Sequence, residues 1–145
     1  MLALELDKTV VKSFMGQILR EEIFDNFDVR SVDISAQVRI NLDCASEEGF
    51  SSWATLRPLV YAIVKVSPKP KYVKIVFSCP AATVGDIHPN AAALFLNLIY
   101  ENDSVNFTTA TAQKEFALDK TLDSTWDERI CKFFAKKNLL VVNRE

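Results

Sequence analysis

Glycine is scarce in this chain: Gly16, Gly49 and Gly85 are the only three in 145 residues, and no two are close together. A phosphate-cradling loop or a dinucleotide fingerprint needs grouped glycines, because the backbone must turn tightly and approach the phosphate closely. Nucleotide-dependent enzymes of those types are therefore excluded. Histidine is scarcer still, with His88 alone. One imidazole and three cysteines without paired spacing, Cys44, Cys79 and Cys131, supply no standard zinc site, so neither metal nor cofactor is expected. The odd cysteine count suits reduced thiols better than a disulfide framework, which points to the cytoplasm.

Long apolar runs are missing too. The longest, "PLVYAIVKV", has nine residues and includes Lys65, well short of the ~20 that a bilayer requires. Met1 leads into "LALELDKTVVK" with no basic start and no small-residue cleavage site, so neither a leader nor a membrane association is expected. An excess of positive charge is also lacking. Seventeen basic against nineteen acidic residues leave a net charge of −2, and nucleic acid is disfavoured unless basic groups gather locally. What the chain does have is apolar content, 49% hydrophobic residues, enough for one core in a single domain over residues 1–145.

Periodicity divides that content into elements. Leu2, Leu4 and Leu6 alternate as in a strand, and Asp7 can cap a helix whose inward stripe is Val11, Phe14, Met15, Ile18 and Leu19. Val32 to Leu42 alternates again, broken near Ser35. In "SEEGFSSWATLR" the spacing of Phe50, Trp53 and Leu56 predicts a short helix that Pro58 ends by Arg57. The β-branched "LVYAIVKV" and "KYVKIVFSC" then predict a hairpin over Leu59–Cys79 with a proline-bearing loop. "PAATVGDIH" suits a short helix entered at Pro80. "LFLNLIY" and "VNFTTATA" flank the turn "ENDS", with "KEFALD" continuing the second strand. A helix over Leu122–Lys137 carries Leu122, Trp126, Ile130, Phe133 and Phe134 on one side, and "NLLVV" closes as a strand that can pair with the first.

The fold class is therefore α+β with a predominantly antiparallel sheet. The two halves, 1–66 and 72–145, follow one βαββαβ order joined by a hairpin loop at 67–71, with "INLD" and "FALD" closing the third strand of each. Internal duplication of this kind predicts a pseudo-twofold arrangement in which Trp53 and Trp126 are equally buried core anchors.

The phrases "SSWATLRPLVYAIVK", "YVKIVF", "LFLNLIYEND" and "FALDKTLDSTWDE" resemble those of a family of small bacterial proteins, mostly from anaerobic gut organisms, classed as a domain of unknown function. The resemblance runs from "MLALELD" to the second tryptophan helix. It implies a free-standing bacterial domain and assigns no catalytic residue, ligand or cofactor.

Three functional readings remain, and the first is a non-catalytic cytosolic binding or protein-interaction module, self-associating or taking a protein partner. In the expected hairpin Tyr61 and Lys65 lie beside Tyr72 and Lys74, with Lys69 and Lys71 at the loop. This mixed aromatic and basic face suits a protein contact. The same six residues could instead stack bases and neutralise phosphates, which gives a nucleic-acid accessory domain on a clamp-like fold. Sliding-clamp domains share the opening strand and helix order and the internal duplication, but not a second tryptophan helix in each half. The third reading is a small hydrolase using His88, oriented by Asp86, with Cys79 as the thiol nearest in sequence.

Overall fold

The computed structural model describes residues 1–46, 49–66 and 69–144. Alternation places the strands β1 (Ala3–Leu6), β2 (Asp28–Ser35), β3 (Arg39–Asp43), β4 (Ala45–Ser46), β5 (Gly49–Ser52), β6 (Tyr72–Ser78), β7 (Ala91–Glu101), β8 (Ser104–Gln113) and β9 (Val141–Asn143). They form one antiparallel sheet in the order β4-β5-β2-β6-β7-β8-β1-β9, with β3 sharing an edge of β2 with β5. The expected "ENDS" turn is a two-residue hairpin between β7 and β8. Asn102 and Asp103 both take positive φ, 53° and 58°, matching the turn type whose twist suits antiparallel strands. Strand β9 pairs with β1, as expected, and β1 in turn pairs with β8.

The helices are α1 (Val11–Arg20), entered through a 3-10 turn at Lys8–Val10, α2 (Trp53–Val66), α3 (Ala81–Ile87) and α4 (Thr121–Lys136). Asp7 caps the first, accepting the Thr9 backbone N–H at 2.8 Å. Ring contacts show α1, α2 and α4 on one face of the sheet: Phe14 against Phe107, Trp53 against Phe77, and Phe134 against Phe107. At the centre Phe24 stacks on Phe77 at 4.8 Å. Tyr72, Lys74, Ile99, Asn106 and Glu5 alternate with these inward residues and lie on the opposite face, partly exposed. Among the described residues no helix is long and apolar enough to cross a membrane.

Three expectations need correction. First, Leu59–Val66 is helix, so the hairpin over Leu59–Cys79 does not form; residues 67 and 68 of its loop lie outside the described residues. Leu56, Val60, Ile63 and Val64 recur at helical spacing, and burying that stripe outweighs the strand preference of β-branched residues. Pro58 is tolerated because it and Ala54, whose carbonyl loses its helical donor, both face water. Second, the helix expected from "SEEG" onward begins only at Trp53. Ser52 Oγ accepts the Thr55 N–H at 3.2 Å, capping the helix and leaving Gly49–Ser52 as β5. Third, "KEFALD" leaves the sheet. Asn90 draws it away, its backbone carbonyl accepting from Lys114 N–H and its side chain bonding both backbone groups of Glu115. Phe116 and Leu118 stand 85% and 84% exposed.

These corrections remove the shared six-element order of the halves. Strand β6 pairs with β7, whereas its counterpart β1 pairs with β8 and β9 rather than with β2, so a pseudo-twofold arrangement does not follow. Both tryptophans are buried in helices, but in unlike settings. Trp53 opens α2 with its indole N–H lacking a partner among the described residues, whereas Trp126 lies within α4 and donates to the Phe95 carbonyl at 2.9 Å. Replacing Trp126 by Phe breaks a hydrogen bond, while Trp53→Phe removes an unpaired donor. Urea unfolding should therefore find Trp126→Phe more damaging by about 1–3 kcal/mol.

Candidate functional site

The three residues considered for hydrolysis do not converge. His88 follows α3, and its Nδ1 accepts the Asn90 backbone N–H at 3.0 Å. Nε2 then carries the ring proton and faces the Thr121 hydroxyl at 3.1 Å, which in turn donates to Asp119 at 2.6 Å. Both ring nitrogens are committed to holding α3, the β7 entry and the α4 start together. Asp86 is exposed, and among the described residues no hydrogen bond joins it to His88. Cys79 is buried and lies 3.2 Å from the Thr83 hydroxyl; burial pushes its thiol pKa up, away from the nucleophilic thiolate.

The six aromatic and basic residues are dispersed in the same way. Tyr61 and Lys65 lie one helical turn apart on α2, the ammonium 5.9 Å from the ring centre. Tyr72 and Lys74 are on β6, on the face of the sheet away from the core. There Tyr72 lines a polar depression of about 310 Å³ with Asp33, Ser35 and Arg39. Arg39 closes on Asp33 through two bonds of 3.2 and 2.7 Å, and that contact holds the Asp33 carboxyl below its ordinary pKa. Lys71 is exposed and its backbone N–H bonds to Ser35. Of the six, only Lys69 borders a second, wider hollow on the core side of β6.

That hollow is a cavity of about 640 Å³ between α1, α2 and the inner face of β6. Its wall is apolar: Met15 and Leu19 from α1, Val60 and Val64 from α2, Val73 and Ile75 from β6. Short β-branched side chains on α2 and β6, Val60, Val64, Val73 and Ile75, leave the space that longer residues would fill. The rim is polar, formed by the exposed Lys8 and Lys12 at the entry to α1 and by the group of Lys69, Tyr100 and Asp103. Asp103 accepts from Lys69 at 3.0 Å and from the Tyr100 hydroxyl at 3.1 Å. These bonds hold the Asp103 carboxyl below its ordinary pKa and raise that of Lys69; burial, then the bond to Asp103, raises Tyr100.

A depressed carboxyl contributes stability that is present above its unfolded pKa and lost as the pH falls through the folded one. Asp103→Asn, which keeps the left-handed turn position accessible, should therefore lower the melting temperature slightly near neutral pH. The difference from the parent should vanish in strong acid. A difference that persists there would show that the turn, not the charge, is responsible.

Sequence periodicity pointed to Met15 and Leu19 as inward residues but not to a cavity beside them, and Lys8, Lys12, Tyr100 and Asp103 were missed. No local pattern marks them, because they come from segments far apart in sequence. The fold and the cavity together define an α+β domain with helices on one face of an antiparallel sheet and an apolar hollow under two of them. Residues 17–141 match a family of unknown function, DUF5721, and the chain belongs to that family. No curated protein and no solved structure matches it.

Proposed function

We propose that the protein is a non-catalytic binding module of the bacterial cytosol that takes a small, largely apolar molecule into the cavity between α1, α2 and β6. The cavity carries this reading. At about 640 Å³ it lies within the 300–1,000 Å³ typical of small-molecule sites, and its apolar wall with a few polar groups at the rim is their usual construction. Three cysteines free of disulfides, two of them buried, accord with a reducing compartment.

Leu19→Trp tests the site by filling it from the α1 side. The neutral dye Nile red should bind the parent saturably, and the variant at least about tenfold more weakly, with circular dichroism unchanged. Equal binding by both removes the cavity from consideration.

A homodimer is the second reading, favoured by the outer edge of the sheet, where β9 carries Val142 59% exposed beside Leu140, also 59% exposed. Light scattering that finds a strict monomer at high concentration removes it.

A further inference from the structure

We propose that the ligand is a single-chain amphipathic anion, with its chain in the cavity and its carboxylate or phosphate head held at the mouth by Lys8 and Lys12. The inference rests on reading the cavity as a binding site. Lys8 and Lys12 are four residues apart, one in the 3-10 turn and one in α1, and both border the cavity. Both are exposed, and neither makes an ion pair among the described residues. Asp7, the nearest carboxylate in sequence, is occupied by the backbone N–H and hydroxyl of Thr9.

The third lysine at the rim differs. Lys69 is already paired with Asp103, whose same oxygen takes the Tyr100 hydroxyl. Three lysines and one aspartate therefore leave the mouth two positive charges in excess, in a chain whose overall charge is −2. Beneath the mouth no charged side chain lines the cavity among the described residues. Unpaired ammonium groups above an apolar shaft complement an anion with a hydrocarbon tail. They oppose a cationic amphiphile and give a neutral one nothing for its head. Lysine ammoniums on flexible stems accept either a carboxylate or a phosphate, since they impose no bidentate geometry.

Titration calorimetry with four dodecyl probes at low salt, each below its micelle threshold, tests this. Dodecanoate and dodecyl phosphate should bind about tenfold more tightly than dodecanol, and dodecyltrimethylammonium most weakly. The gap should narrow as salt is raised. Shortening dodecanoate to decanoate should weaken binding by about fourfold per methylene removed. The double variant Lys8→Met with Lys12→Met should bind the anions no better than dodecanol while leaving dodecanol unchanged. If dodecanol equals the anions and Leu19→Trp abolishes binding of all, the cavity reading stands and the anion inference is overturned. An anion preference that survives the double variant overturns it as well. If no probe binds, or binding survives Leu19→Trp, both fall.

Discussion

Phe24→Ala will cost the fold about 3–5 kcal/mol, at the upper end of what a single core truncation removes. Phe24 lies between α1 and β2 in sequence and belongs to no helix or strand, yet it is fully buried. Its ring meets Phe77 of β6 at 4.8 Å, Phe133 of α4 at 5.4 Å, Phe27 at 5.9 Å, Phe14 of α1 at 6.1 Å and Phe107 of β8 at 6.5 Å. Truncation thus removes aromatic contacts to four separate elements at once, and the rings of Phe14, Phe77, Phe107 and Phe133, each held by its own strand or helix, cannot collapse into the gap. Urea denaturation measures the effect. A loss below about 2 kcal/mol would show that the cluster relaxes and that Phe24 is a filler rather than its centre.

Arg57→Met should cost about 2–3 kcal/mol, in the range of hydrogen bonds to charged groups that water partly screens. Arg57 of α2 donates to Asp25 through two bonds, of 3.1 and 3.0 Å, and to the carbonyl of Arg20, the last residue of α1, at 3.2 Å. The side chains are only 18% and 19% exposed. Methionine keeps the apolar stem and removes the fork, leaving a half-buried carboxylate and a helix-end carbonyl without that donor. Because this fork ties the end of α1 to α2, its removal should also loosen the cavity between them, weakening Nile red binding several-fold. A stability loss under about 0.5 kcal/mol would place the pair among ordinary surface bridges.

The same residue explains part of what the sequence concealed. A residue before proline disfavours helix, and Arg57 precedes Pro58. The bonds to Asp25 and Arg20, 32 and 37 positions away, hold the helix through that point, and nothing local announces them. Elements whose signal is local were legible: the alternation of β2 and β3, the β7–β8 hairpin around "ENDS", the stripe of α4. Strand β8 was read too long because Asn90, far upstream, terminates it. The candidate site was the least legible part. Its apolar wall looks like core in any periodicity, and its rim joins residues from the first turn, the loop before β6 and the β7–β8 hairpin, which only the fold assembles.

Strand β1 sits between β8 and β9, which sets a timetable for synthesis. Leu4 opposes Phe107, so the partner that covers the first strand is made roughly a hundred residues after it. At 5–20 residues per second that is a wait on the order of 5–20 s. During it Leu2, Leu4 and Leu6, all buried in the finished protein, have no sheet to join. Strand β1 is thus made well before the strand that covers it, and the nascent chain presents an unpaired apolar edge to whatever binds such edges in the cell.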